Sequence, residues 1–325
     1  MNYRMFMGFV LGLIVAIPLQ ANVSLLHSVQ NAATTRLSTT QSAATQVSAT
    51  QCTQPAGTLQ LAAGFASEQG RRRTMEDAHT IEQNQRFGFF AVYDGHGGDA
   101  VANKAGERFC KIVMNKLSQL RTVDQQSIGK VLRQAFQYME QELRILRTKA
   151  GSTAVCALVD KDAHMLYIAN LGDSRAVLGT VQNGKVTPTQ LSTDHKATSP
   201  QEADRIEAAG GFVFHKRVYG TLAVSRALGD FELKGDAGSK LDIAMSEPEI
   251  RLKQLGPNDG FLILACDGVW DVMTNEKAAT IVNNTLTRTY DPKQAAQTLV
   301  QDALKDPNQG DNVTTVIIEF KHKTS

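Results

Sequence analysis

Acidic residues recur where strongly apolar stretches begin or end, most of them beside glycine. Glu76 and Asp77 follow the run Arg71-Arg72-Arg73. Asp94-Gly95 closes Phe87–Tyr93, and Gly172-Asp173 sits between two apolar runs. Asp267-Gly268 follows Phe261–Cys266, with Asp271 a little further on, and Gly310-Asp311 opens the last apolar run. One aspartate after a strand is ordinary turn chemistry. Several in one chain suggest more, because carboxylates gathered away from water must share a cation or give up their charge. Oxygen donors without a Cys/His set select hard ions such as Mg²⁺ or Mn²⁺. Two such ions, about 3.5–4 Å apart, make a clamp for in-line attack at phosphorus.

Two other residue types fit that chemistry. A guanidinium fork from the Arg71–Arg73 run suits a phosphate dianion better than an ammonium does. His96 lies two residues after Asp94, and an imidazole can protonate a leaving alkoxide near neutral pH. Taken alone, the arginine run is equally a solvated turn and His96 an ordinary surface histidine. Cys52, Cys110, Cys156 and Cys266 have neither a C-x-x-C pair nor zinc-like spacing, and read as ordinary thiols.

The elements that must position these groups show in the hydropathy pattern from about Gly64 to Phe320. Phe87–Tyr93 is nearly continuous in apolar residues, as a strand buried on both faces would be. Val101, Ala105, Phe109, Ile112, Val113 and Leu117 recur at helical spacing. A second helix is expected to place Ile128, Leu132, Phe136, Met139, Leu143 and Leu146 on one face. Strands are expected at 153–159, 165–169, 176–179, 250–255, 261–265 and 313–320. Helices are expected near 276–286, after a capping box at Ser199-Pro200-Gln201-Glu202, and after Asp291-Pro292. Strand runs between helical pairs suggest stacked sheets with helices outside.

The chain has 325 residues, 42% hydrophobic and 20% charged, with 34 basic against 32 acidic residues and a net charge of +2. That balance gives no bulk attraction to nucleic acid or anionic lipid. Residues 1–21 carry Arg4, the apolar run Met5–Ile17, the helix breaker Pro18 and small Ala21, a secretory signal-peptide pattern. The run is short for a bilayer span, which needs about 20 residues; the alternative is an uncleaved signal anchor. Residues 22–58 are low in complexity, rich in Ser, Thr, Gln and Ala, and read as a tether. The folded domain is expected over 59–320, with a short tail at 321–325.

Seven blocks occur in one order: Arg72-Arg-Thr-Met-Glu-Asp77, Asp94-Gly-His-Gly-Gly98, Gly151-Ser-Thr153, Asn170-Leu-Gly-Asp-Ser-Arg175, Leu222-Ala-Val-Ser-Arg-Ala-Leu-Gly-Asp230, Cys266-Asp-Gly-Val-Trp-Asp271 and Gly310-Asp-Asn312. Together they resemble the metal-dependent type 2C serine/threonine protein phosphatase family, in its eukaryotic-like form. The resemblance covers about Gly64–Phe320. It implies an α+β fold, an α-β-β-α sandwich of two central antiparallel sheets flanked by helices. It also implies hydrolysis of phosphoserine and phosphothreonine by a metal-bridging hydroxide.

Carried over by position, Asp94 would bridge two Mn²⁺ or Mg²⁺ ions. Glu76 and the Gly95 carbonyl would serve one ion, and Asp267 and Asp311 the other. Asp77 would hold a metal-bound water, Arg72 would clamp phosphate, and His96 would be the acid. Asp173 and Asp271, with Asp267, match a weaker third ion site, and a mobile flap would map to about 195–218. No phosphoenzyme is required, so Cys266 is expected to end a buried strand. The implied partners are phosphorylated proteins acted on by a monomer, with no nucleic acid and no membrane span after cleavage. Two alternatives stay open: a catalytically weak phosphoprotein-binding pseudophosphatase, or a two-metal hydrolase of small phosphoesters. All the carboxylates are present, which argues against the first. No base-binding stretch supports a nucleotide substrate. A signal peptide implies export, whereas phosphoserine proteins are mostly intracellular. Action in another cell's cytosol, entry into a compartment that receives phosphoproteins, or an uncleaved anchor with a cytosolic domain would reconcile them.

Overall fold

Every residue of Phe87–Tyr93 is buried, and the side chains divide by the two-residue period of a strand. Phe89, Ala91 and Tyr93 join a core shared with two helices. Phe90 and Val92 join a second core shared with another sheet. That double burial is why the segment reads as one apolar run rather than an alternation.

The computed structural model describes residues 59–234 and 243–322; the signal-like segment 1–21 and the tether 22–58 lie outside the described residues. Strands β1 (Gln60–Glu68), β2 (Ala78–Gln83), β3 (Phe87–Tyr93) and the two-residue β4 (Gly95–His96) lead into helices α1 (Ala100–Ser118) and α2 (Gln125–Leu143). Next come β5 (Gly151–Ser152), β6 (Ala154–Asp160), β7 (Met165–Leu171), β8 (Arg175–Gln182) and β9 (Lys185–Gln190). Helix α3 (Pro200–Ala208), the hairpin β10 (Val213–Phe214) and β11 (Arg217–Val218), and β12 (Leu228–Gly229) follow. The last elements are β13 (Glu249–Gln254), β14 (Asp259–Ala265), the short α4 (Asp267–Trp270), α5 (Asn275–Thr289), α6 (Pro292–Leu304) and β15 (Val313–Lys321).

Two five-stranded sheets dominate, ordered β1-β15-β14-β8-β9 and β13-β7-β6-β3-β2, and the strand pairs within them are antiparallel. Phe90, Val155 and Ile168 from one sheet meet Leu178, Leu264 and Val316 from the other in the central core. Helices α1 and α2 bury Phe109, Leu132 and Phe136 on the outer face of the second sheet. Helices α5 and α6 bury Val282, Leu299 and Val300 on the outer face of the first. Each fully buried side chain of this size stabilises the fold by roughly 1.5–3 kcal/mol before entropy is counted. The expected α-β-β-α sandwich is thus the observed fold.

Local differences have local causes. Helix α2 stops at Leu143; Arg144–Leu146 forms a tight 3-10 turn ended by Arg147 at φ 49°, so Leu146 leaves the helix face and is exposed. Ser199 does begin α3, with Pro200 in its first turn, but the expected capping box is absent because Ser199 makes no side-chain cap. Glu202 instead turns inward, accepting from Ser225 Oγ at 2.7 Å, Arg205 Nη2 at 3.0 Å and Arg226 Nη2 at 2.5 Å. A true capping box stands at Asp124 and Ser127, at the start of α2. β15 runs to Lys321, paired with Gln60, one residue into the segment expected as tail. Among the described residues no helix is long and apolar enough to cross a membrane.

Candidate metal and phosphate site

The carboxylates gather because the strands of both sheets end at one edge of the sandwich. Asp94 follows β3 and is tied to Thr153, whose N–H donates to the Asp94 carbonyl at 2.9 Å and whose Oγ1 accepts from the Asp94 N–H at 3.2 Å. Asp267 begins α4 directly after β14, and Asp311 precedes β15. Asp173 occupies the turn between β7 and β8, next to Ser174, whose hydroxyl lies 2.6 Å from that of Thr153.

Arg72, Asp94, Gly95, His96, Asp173, Asp267, Asp271 and Asp311 all line one cavity of about 800 Å³. Glu76 and Asp77 are not among its lining residues. Glu76 Oε2 accepts from the Gly98 N–H at 3.0 Å and Oε1 from Thr74 Oγ1 at 2.9 Å. A Cβ on Gly95 would sit 2.2 Å from the Glu76 carbonyl oxygen, so only glycine lets these two segments touch. Asn312 organises the loop before β2: its side chain accepts from the Glu76 N–H at 2.9 Å and donates to the carbonyls of Gln69 at 2.8 Å and Thr74 at 3.0 Å.

Electrostatics mark the same place. Burial, then the charges of Asp267, Asp77, Asp173 and Asp311, push the Asp94 carboxyl well above its ordinary range. Burial and the neighbouring Asp173, Asp311 and Asp271 raise Asp267 to about 8. Burial raises Asp77 to about 6, and Asp173 to about 6 against the pull of Lys196. Asp77 Oδ2 is buried with no hydrogen-bond partner. An unpaired buried carboxylate oxygen beside other carboxylates is costly without a cation.

Ligand atoms of Asp77, Asp94 and Cys266 lie within 4.8 Å of one another. Cys266 does not complete a thiolate site. Burial and the adjoining aspartates push its thiol well above its usual range. Its Sγ already accepts from the Thr314 N–H at 3.1 Å. The donors that fit are therefore oxygens, the set preferred by Mg²⁺ and Mn²⁺.

Two lysines, a histidine and a carboxylate at the cavity were given no individual role in the sequence. Lys196 lies 3.1 Å from Asp271 and 3.8 Å from Asp173, bridging the two residues expected at a third ion site. His215 and Lys216, on the β10–β11 hairpin tip, face the same cavity. Asp230 also lines it, with its Oδ2 2.7 Å from His96 Nε2. Asp230 follows Gly229, so it carries the same Gly-Asp signal as its partners, but at the end of a two-residue strand that hydropathy does not reveal.

Comparison with known proteins gives one answer. A family model described as protein phosphatase 2C matches residues 61–313. A probable protein phosphatase 2C of Caenorhabditis elegans is 37% identical over 277 residues, spanning 81% of this chain and 75% of that protein. The protein phosphatase 2C homolog 2 of Hypocrea jecorina is 36% identical over 286 residues, spanning 81% of this chain and 63% of that longer protein. The fold matches the crystal structure of a serine-threonine phosphatase 2C from Toxoplasma gondii with a TM-score of 0.69 at 23% identity, covering 82% of this chain and 97% of that one.

Proposed function

Because this chain belongs to the protein phosphatase 2C family, we propose that it is a metal-dependent protein serine/threonine phosphatase that passes the phosphoryl group of phosphoserine or phosphothreonine directly to water. The observation that carries this reading is convergence. Arg72, His96 and acidic residues of separate sequence blocks (Asp94, Asp173, Asp267, Asp271 and Asp311) line one cavity.

Glu76, Asp94, the Gly95 carbonyl, Asp267 and Asp311 would hold two Mn²⁺ or Mg²⁺ ions, with Asp173, Asp271 and Asp267 suited to a weaker third. Bound there, the ions would supply charge neutralisation at phosphorus and an acidified water. Arg72 binds the phosphate oxygens and orients them in line. Asp77 accepts a hydrogen bond from the attacking water and fixes its direction. As the oxygen–phosphorus bond to the serine or threonine breaks, His96 gives a proton to that oxygen. No protein nucleophile intervenes, since Cys266 is buried and held protonated.

The test is release of phosphate from a phosphothreonine peptide with Mn²⁺ present, set against the same assay with p-nitrophenyl phosphate. A phosphatase of this kind hydrolyses both; a binding-only relative hydrolyses neither. For location, the pattern of residues 1–21 supports an exported protein, or one tethered by an uncleaved anchor. N-terminal sequencing of the mature chain distinguishes them: a start near Asn22 means export, and retention of Met5–Ile17 means an anchor.

A further inference from the structure

We propose that Asp230 is the positioning residue for His96. In this arrangement Nδ1, rather than Nε2, is the ring nitrogen that serves the leaving oxygen. The inference rests on the reading of His96 as the acid.

The geometry is built by the smallest sheet. Strand β5 lies between β4, which carries His96, and β12, which ends just before Asp230. His96 and Asp230 therefore meet across Gly151, at a Nε2–Oδ2 separation of 2.7 Å. A Cβ on Gly151 would lie 2.0 Å from Asp230 Oδ2 and 2.4 Å from His96 Nε2. Only a residue without a side chain leaves room for the contact.

The Asp230 loop is itself held tightly. Gly229 and Asp230 both have left-handed backbones, at φ 75° and 47°. For an aspartate that conformation is uncommon and persists where surrounding contacts impose it. Here Glu140, buried on α2, supplies them: it accepts from the Gly229 N–H at 3.1 Å and from Lys234 Nζ at 2.6 Å. Lys234 Nζ also donates to the Ala227 carbonyl at 2.7 Å. Asp230 thus sits between two points pinned by one carboxylate.

In the proposed arrangement the Asp230 carboxylate oxygen accepts and the His96 Nε2–H donates across the 2.7 Å contact. That fixes the imidazole's plane and tautomer and leaves Nδ1 to give and recover the catalytic proton. A carboxylate that orients an imidazole in this way at metal sites is worth on the order of 10–100-fold. The effect belongs to the leaving group. A serine or threonine alkoxide needs a proton, and p-nitrophenolate does not.

The test measures kcat of the full chain with Mn²⁺ on a phosphothreonine peptide and on p-nitrophenyl phosphate. It compares His96→Gln, Asp230→Asn, their double variant, and Gly151→Ala, which crowds the pair without changing charge. Asp230→Asn and Gly151→Ala are each expected to lose on the order of 10–100-fold on the peptide and little on p-nitrophenyl phosphate. Asp230→Asn should cost nothing further in the His96→Gln background, as coupled residues do. Activity on p-nitrophenyl phosphate reports that each variant is folded and metal-loaded. If His96→Gln is selective for the peptide but Asp230→Asn loses equally on both substrates, or adds fully to His96→Gln, the positioning role is overturned while the acid stands. If His96→Gln itself loses equally on both, the acid reading falls and this inference falls with it.

Discussion

Arg72 Nη2 rests 2.6 Å from Asp311 Oδ2, so the group read as the phosphate clamp is paired with a carboxylate read as a metal ligand. Burial is the largest single influence and opposes the arginine's charge, but the charge and hydrogen bond of Asp311, with Asp267 and Asp94, together hold its guanidinium above the ordinary range. The side chain is half exposed, so the pair itself adds little stability. Its consequence is positional. A cation on Asp311 would draw charge from the carboxylate and leave the guanidinium for phosphate.

That arrangement makes Arg72 a binding residue for any phosphoester. Arg72→Ala is expected to raise KM on phosphopeptide and on p-nitrophenyl phosphate alike, with a smaller change in kcat. Arg72→Lys should recover only part of the loss, because an ammonium cannot form the fork. Steady-state kinetics on both substrates check this. A pure kcat effect with unchanged KM would place Arg72 elsewhere in the mechanism.

The crowded carboxylates should make the metal-free protein sensitive to pH. Asp267 is raised to about 8 in the folded state, and an unfolded aspartate titrates at about 3.9. Between these values the folded chain holds a proton that the unfolded chain has released. Stability is therefore expected to fall as pH rises from about 4 to about 8. Asp77 and Asp173, both raised to about 6, act in the same direction over the lower part of that window. Melting temperature against pH in EDTA measures it, and Asp267→Asn should flatten the curve. A metal-free protein that grows more stable from pH 5 to pH 8 would contradict the clustering.

Glu202 is expected to fasten the segment 195–218 to the rest of the domain rather than cap a helix. Its carboxyl is held down to about 2: burial opposes the charge, and the hydrogen bonds from Arg226 and Ser225 overcome it. Glu202→Ala removes the group that joins α3 to the segment around Ser225 and Arg226. Limited proteolysis should then cut within residues 200–218 faster than in the parent chain. Unchanged cleavage would mean that the apolar cluster of Ala197, Ile206, Val218 and Ile243, with the Arg205 bonds to the Ser225 and Ile243 carbonyls, holds this segment without Glu202.

The contrast at Glu202 shows what the sequence could and could not carry. Strands β3, β6, β7, β14 and β15 were legible because burial on two faces writes an unbroken apolar run. Strands β1, β2 and β9 were not, since they present intermediate or exposed residues at most positions. Asp94, Asp173, Asp267 and Asp311, which line the cavity, were legible as aspartates beside strand ends. Glu202 obeyed a local capping pattern, but Arg226 and Ser225, more than twenty residues away in sequence, captured its side chain. Asp230 was hidden for the same reason, because its partner His96 is joined to it only through tertiary pairing across Gly151.

The central claim, that a carboxylate-held pair of hard cations drives phosphoester hydrolysis here, is tested most directly by phosphate release from a phosphothreonine peptide. The chain is assayed after exhaustive chelation, after Mn²⁺, Mg²⁺ or Ca²⁺ is restored, and as Asp94→Asn at saturating Mn²⁺. Chelation should silence the enzyme, and Mn²⁺ or Mg²⁺ should restore it. Ca²⁺ should support little turnover, being larger and looser in geometry. Asp94→Asn should stay at least about 100-fold below the parent chain, since a misplaced first ligand both weakens the ions and misaligns attack. Full activity after chelation, or near-parental turnover by Asp94→Asn, would contradict the account.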